Sequence, residues 1–474
     1  MEVNSFRKNS RRDFIKTASL AAGFFIVPRF VLGRGYIAPS DKLNIACIGV
    51  GGQGKGDILE LAKSPHVNIA FLCDVDERRA ADTVKLYPKA KYYTDFRVML
   101  QKEHKNIDAV LISTPDNTHA VAAIAAMQMG KHVYLQKPLT HDIYEARMLT
   151  EAARKYKVVT QMGNQGGSGD GVRKMKEIYD AGIIGDVTNV YGWTNRPIWP
   201  QGLAAPTGNH AIPKELQWDL WLGPAAFVKY NPEYLPFNWR GYTAFGTGAL
   251  GDMACHILDP AFRILPIDYP SEIECSANGS WLGVGQEVKH PESFPSSSIV
   301  RFKFPGKDNK PDVKITWMDG GLLPERPEEL KEDEAMGDWN GGLLLEGTKG
   351  KMMADCYGAN PRLLPLSKNK EITIQQTIKR VPEGHYLQWV NACIAGYGKN
   401  ELSSSFDYAG PFTEAILLGA LAVQAYQMTD RKDHYQEGRK KLLWDAKNMK
   451  VTNLDIANQF VKREYRKGWE VNKW

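Results

Sequence analysis

Leu43-Asn44-Ile45-Ala46-Cys47-Ile48 runs directly into Gly49-Val50-Gly51-Gly52-Gln53-Gly54. The first six residues are a short, almost unbroken apolar run, the pattern of a strand covered on both faces in a parallel sheet. The next six spell G-x-G-x-x-G, in which each glycine has its own task. Gly49 permits a tight turn, Gly51 lets the backbone approach a pyrophosphate, and Gly54 allows a following helix to pack on the strand. Ile58, Leu59 and Leu61 predict that helix over 57–63. The motif alone carries little weight, but a second apolar run, Val67–Cys73, ends in Asp74, 25 residues after Gly49. A carboxylate at that strand end is placed to accept the ribose hydroxyls of NAD and to repel the 2'-phosphate of NADP. Arg78 and Arg79 follow, either as a solvated helix face or as a softening of that preference.

Outward from this unit the alternation continues. Ala109–Ile112 leads into Ser113-Thr114-Pro115-Asp116-Asn117-Thr118-His119, and His132–Leu135 leads into Gln136-Lys137-Pro138-Leu139. Val158 and Val159 begin a further short strand ending in Gln161-Met162-Gly163-Asn164-Gln165. Strands separated by helical segments predict a doubly wound sheet whose carboxyl ends face a cofactor crevice. Beyond about residue 165 the alternation stops, and a strand-rich stretch with Trp193, Trp199, Trp218, Trp221 and Trp239 predicts an open sheet with long loops. Within it a glycine-rich loop, Phe245–Gly251, enters a helix that sets Asp252 and His256 four apart on one face. A carboxylate beside an imidazole orients it and favours its charged form, which suits a proton acceptor. Lys137 supplies the complementary role, an ammonium that stabilises negative charge developing on an alcohol oxygen as hydride leaves.

The charge balance points to a compartment rather than to a partner. The 474 residues carry 60 Lys and Arg against 54 Asp and Glu, with 43% hydrophobic and 24% charged residues. That composition excludes a disordered chain, a collagen and a multi-span membrane protein. Residues 1–34 hold seven of the basic side chains and two of the acidic ones, which leaves 53 against 52 for the remainder. A nearly neutral body offers no general attraction to nucleic acid. Ser10-Arg11-Arg12-Asp13-Phe14-Ile15-Lys16, followed by an apolar stretch from Ala18 to Val27, reads as an export signal of the twin-arginine type, with a basic amphipathic tail or membrane anchor as the alternative. The expected product is a periplasmic protein with no stable membrane insertion after signal removal. Six cysteines lie far apart with no C-x-x-C and no metal-ligand spacing, so buried thiols are expected and no metal is called.

These motifs resemble the Gfo/Idh/MocA family, the glucose-fructose oxidoreductase and inositol dehydrogenase group. The resemblance implies an N-terminal Rossmann domain and a C-terminal α+β domain with an open mixed or antiparallel sheet. It divides the chain into a signal (1–34), a Rossmann domain (41–165), a substrate and oligomerisation domain (166–450) and a tail (451–474). Gly49, Gly51, Gly52, Gln53 and Gly54 match the cofactor loop, Asp74 the ribose carboxylate, and Thr114-Pro115-Asp116 the third-strand turn. With these, Asn117, His119, Lys137 and Gln165 complete the expected cofactor contacts. Lys137-Pro138 matches the family's Glu-Lys-Pro, whose lysine is catalytic, and Asp252 with His256 matches its D-x-x-x-H. Gln136 stands where the family carries glutamate, which removes a negative charge beside Lys137 and by itself favours a lower lysine pKa. The resemblance also brings Asn164 toward nicotinamide or substrate and makes Trp218, Tyr230, Trp239, Arg240 and His385 the wall of a carbohydrate site; for the wall residues, packing is an equal reading.

The implied cofactor is NAD, with NADP less favoured, and the implied partners are a small carbohydrate and further copies of the chain. Three functions remain open. The first is oxidation of a sugar, glycoside or polyol hydroxyl with a tightly held cofactor. The second is a redox-neutral glycosidase working by oxidation, elimination, addition and reduction. The third is a sugar-binding protein that keeps the fold without the chemistry. The last segments, Asp407–Thr429 and Leu442–Trp474, read as a long apolar helix and a polar, aromatic-tipped tail.

Overall fold

The computed structural model describes residues 41–428 and 438–470. The twin-arginine motif at Arg11 and Arg12 and the boundary at residue 34 lie outside them. Six strands, β1 (Leu43–Ile48), β2 (Val67–Cys73), β3 (Lys91–Tyr93), β4 (Ala109–Ile112), β5 (His132–Leu135) and β6 (Thr160–Met162), form a parallel sheet in the order β3-β2-β1-β4-β5-β6. The order reverses between β1 and β4, which opens a crevice at the carboxyl ends of those two strands. All four residues of β4 are buried because helices cover both faces. The first helix runs Gln53–Leu61, starting four residues before the predicted position. Gly54 and Gly56 argue locally against helix, but packing onto β1 overrides that propensity. The last strand is Thr160–Met162 rather than beginning at Val158, since the preceding helix, Ile143–Tyr156, ends on Lys157 in the left-handed conformation.

The remaining strands are β7 (Val187–Thr194), β8 (Glu272–Ala277), β9 (Ser280–Gly283), β10 (Gln286–Val288), β11 (Ser298–Phe304), β12 (Val313–Met318), β13 (Gly341–Gly347), β14 (Gly350–Asp355), β15 (Arg362–Leu364), β16 (Leu442–Asp445) and β17 (Lys450–Val451). All but the separate hairpin β9-β10 join a nine-stranded sheet in the order β15-β14-β13-β7-β12-β11-β8-β16-β17. β7 and β12 pair in parallel and every other neighbouring pair is antiparallel, so the sheet is mixed. Along β11, Ser298, Val300, Phe302 and Phe304 are buried while Arg301 is exposed, the alternation of a sheet with one packed face.

Two helices join the halves. Phe406–Tyr426, buried along most of its length, packs against Ile143–Tyr156, β8 and the helix Gly248–Ile257, so a single hydrophobic core runs through both sheets. Gly384–Ala395 lays Trp389, Val390, Ala392 and Cys393 on the face of the parallel sheet made by Ile45, Cys47 and Leu111. All six cysteines are buried and unpaired. Among the described residues no helix is long and apolar enough to cross a membrane.

Candidate active site

The glycine turn leaves β1 with Gly49 at φ 77°, and a Cβ there would meet the Ser113 carbonyl oxygen at 2.7 Å, so the two strand ends approach as closely as glycine allows. A cavity of about 440 Å³ opens along the strand ends. Its wall includes Gly49, Gly51, Gly52, Gln53, Asp74, Thr114, Pro115, Asp116 and Lys137. Asp74 braces the turn: one carboxylate oxygen accepts from the backbone N–H of Val50 at 2.9 Å and of Gly51 at 3.3 Å, the other from Asp76 N–H at 3.0 Å. Burial nonetheless raises its pKa, and those three N–H groups act against the rise. Thr114 Oγ1 is buried with no hydrogen-bond partner among the described residues, a polar atom at the cavity wall that a bound group would satisfy. The glycine cradle, the strand-end carboxylate and this hydroxyl fit a dinucleotide.

Behind the turn stands a buried carboxylate to which the sequence assigned no role. Asp57 accepts from Gln53 Nε2 at 2.8 Å, Ser113 Oγ at 2.7 Å, Tyr386 Oη at 2.7 Å and Gln136 Nε2 at 2.9 and 3.0 Å. A fully buried carboxylate needs such donors to repay its lost hydration. The arrangement gives Gln136 a physical reason. In this chain the negative charge belongs to Asp57, and the neighbouring position has to be a donor.

At the far end of the cavity Lys137 Nζ donates to Asp252 Oδ1 at 2.9 Å and to the Asp252 carbonyl oxygen at 3.0 Å. Arg240 Nε reaches the same Oδ1 at 3.2 Å. Burial works against the ammonium, but Asp252 more than offsets it and Lys137 is held above the ordinary lysine range. The lower pKa expected from Gln136 is therefore corrected, because Asp252 supplies the opposing charge. Asp252 is itself held well below the usual carboxylate range, since Lys137 and Arg240 outweigh its own burial.

The expected coupling of Asp252 to His256 persists only through charge: Asp252 still favours a charged ring, but burial and Lys137 outweigh it. The carboxylate turns to Lys137 and Arg240, while the His256 ring lies 4.5 Å from that of Tyr357. His256 is 3% exposed, and its Nδ1 has no hydrogen-bond partner among the described residues. Burial first, and then Lys137, push its pKa well down, so the ring stands neutral. Tyr357 occupies the left-handed region at φ 64°, a costly conformation for a tyrosine, and no sequence pattern announces it.

Other expected contacts fall elsewhere. His119 is buried behind the wall, its ring nitrogens against the carbonyl oxygens of Pro138 at 2.8 Å and Thr114 at 3.0 Å, where it ties two strand-end loops together. Asn117 Nδ2 donates to the Leu222 carbonyl at 2.9 Å. Asn164 Nδ2 donates to Asp259 at 2.9 Å, and Gln165 Nε2 to Tyr386 Oη at 2.9 Å. His385 bridges Ser168 Oγ at 2.6 Å and the Met162 carbonyl at 2.8 Å, a structural tie away from the cavity. Trp218 stacks on Trp221 at 4.8 Å and meets Tyr230 edge-on at 5.2 Å, so Trp218 and Tyr230 are core. Trp239 and Arg240 do line the cavity, with the guanidinium 4.3 Å from the indole. Asp116, quoted in the third-strand turn but given no role, is on the wall too. It accepts from Thr247 Oγ1 at 2.8 Å, and burial pushes it up to about 7.

The family model described as an oxidoreductase family with an NAD-binding Rossmann fold matches residues 43–164, and its companion, a C-terminal alpha/beta domain, matches 168–282. The chain belongs to the Gfo/Idh/MocA oxidoreductase family. A glycosyl hydrolase family 109 protein of Shewanella pealeana is 28% identical over 173 residues, 31% of this chain and 38% of that protein. Inositol 2-dehydrogenase of Salmonella typhimurium is 29% identical over 153 residues, 32% and 45% of the two chains. The chain thus spans less than half the length of these curated relatives. Among solved structures, levoglucosan dehydrogenase in complex with NADH and levoglucosan superposes with a TM-score of 0.55 at 18% identity, over 82% of this chain and 98% of that one. An NAD-binding protein from Listeria innocua gives 0.52 at 16%, over 80% and 93%. At such identities the structures speak for the fold, which is that of this NAD-binding oxidoreductase family.

Proposed function

We propose that this member of the family oxidises a hydroxyl-bearing carbon of a sugar, glycoside or polyol, using NAD that it retains between turnovers. The observation that carries the reading is the Lys137 ammonium at the end of the cavity, 2.9 Å from Asp252, with a neutral His256 one helical turn on from that aspartate. When bound, NAD supplies the hydride acceptor. Lys137 stabilises negative charge developing on the substrate oxygen, and Asp252 with Arg240 fixes the ammonium in place. His256, uncharged and with Nδ1 unpartnered among the described residues, takes the hydroxyl proton.

The likeness to glycosyl hydrolase family 109 proteins supports a second reading in which the same residues first oxidise and then re-reduce a glycoside, so that the net reaction is hydrolysis. On the Ser10–Lys16 motif the proposal includes export to the periplasm, where no dissolved pool of NAD is at hand, and assembly with copies of the chain. The test is incubation with a panel of glycosides and polyols without added NAD, with products identified by mass. A keto product, or hydride passed to an added keto-sugar, supports the oxidoreductase; free reducing sugar without oxidised product supports the glycosidase. Lys137→Ala and His256→Ala should each lower turnover about 10²- to 10⁴-fold, and wild-type activity in both would end the proposal.

A further inference from the structure

The cavity wall contains a residue from the last part of the chain. Trp469 lines it together with Thr94, Asp95 and Phe96, although residues 452–470 follow β17 at the far edge of the nine-stranded sheet. Trp469 is 7% exposed, its ring 6.1 Å from Phe96 and 4.0 Å from the Arg97 guanidinium. Two arginines hold the tail in place. Arg463 donates to Glu145 Oε1 at 2.5 Å and to the Asn117 carbonyl at 2.6 Å. Arg466 donates to the Gly223 carbonyl at 3.0 Å and the Asp219 carbonyl at 2.6 Å, and pairs with the Asp219 carboxylate.

The strand order says which end of the cavity this is. Phe96 follows β3, the sheet edge beyond β2, whereas Lys137 follows β5 on the other side of the glycine turn. Asp74 at the end of β2 marks the ribose next to the adenine, so the β3 end is the adenosine end. An indole there, pinned through two half-buried arginine anchors, offers a flat apolar face to a purine.

We infer that the C-terminal tail closes the adenosine end of the cofactor cavity, with Trp469 as a positioning residue that stacks on or caps the adenine and slows release of NAD. The inference rests on the reading that NAD stays bound through many turnovers, and it gives that reading a structural means.

The experiment measures release of NAD from the full-length protein after an excess of labelled NAD is added as a trap. Trp469→Ala and Arg466→Ala, the latter loosening the tail while keeping the indole, should release NAD about ten- to hundredfold faster than wild type, and Trp469→Phe should recover most of the residence time. Nicotinamide mononucleotide, which lacks the adenosine, should bind all four proteins alike. Unchanged NAD release in Trp469→Ala, or an equal loss of mononucleotide binding, overturns the inference. Rapid release from wild type that is faster still in the variants instead removes the retained-cofactor reading and leaves the tail contact standing.

Discussion

Gln136→Glu replaces the donor that faces Asp57 with a second carboxylate. The amide nitrogen sits 2.9 and 3.0 Å from the two Asp57 oxygens, so the new oxygens fall within about 4 Å of them. Two charges at that separation repel by about 4 kcal/mol at an effective dielectric constant near 20. The alternative is for the introduced carboxyl to keep a proton. Raising its pKa from about 4.3 to above 7 costs about 1.4 kcal/mol per pH unit, or about 3.7 kcal/mol at pH 7 and about 1 kcal/mol at pH 5. Both routes give the same size of penalty at neutrality. The sign follows from an acid whose folded pKa lies above its unfolded value: the penalty is absent below about pH 4 and grows as pH rises toward the folded pKa. Urea unfolding of wild type and variant at pH 5, 6 and 7 should show a stability gap that widens by about 1.4 kcal/mol per pH unit. A gap that stays constant with pH, or one below about 0.5 kcal/mol at pH 7, refutes the account of why this position holds glutamine.

Three further outcomes follow from the site. In Asp252→Asn the carboxylate that holds the Lys137 ammonium above its ordinary range is gone while burial remains, so the alkaline limb of the pH–rate profile should move to lower pH as turnover falls; an unmoved limb argues against this pair. Asp116, pushed up to about 7 by burial, is protonated at low pH and costs stability as pH rises from about 4 to 7, so Asp116→Asn should flatten that decline in the denaturation midpoint measured against pH. The six buried thiols should react with a thiol reagent only on unfolding, Cys47 and Cys255 included, because burial raises their pKa values far above the ordinary range.

The first sheet was legible because its signals are local. An apolar run, a glycine turn and a strand-end carboxylate occur in order along the chain, and their spacing is the geometry. Lys137 and Asp252 were legible only as a pair of motifs, and that they touch each other rather than Asp252 touching His256 depends on loops that no periodicity describes. Asp57, Gln136 and Tyr386 form one hydrogen-bonded group from three distant segments, so the reason for glutamine at 136 lay outside any window around it. Trp218 and Tyr230 could not be told from binding-wall aromatics by composition, because large rings serve core and cleft equally well. The tail was legible only as polar and aromatic-tipped; that Trp469 lies against Phe96 is a tertiary fact.

The helix Gly384–Ala395 and the tail bear on the order in which the molecule is made. Tyr386 lies 329 residues beyond the Asp57 it completes, and Trp469 later still. A nascent chain that has emerged only as far as β6 holds a parallel sheet whose Ile45, Cys47 and Leu111 face has no cover from Trp389 and Val390. Pairings that span so much sequence form slowly, and apolar faces left open in the meantime invite association. The parallel-sheet domain, made before the mixed-sheet domain, is therefore finished only after it, and a truncation that removes Tyr386 or Trp469 should be felt as a defect around Asp57 and Phe96.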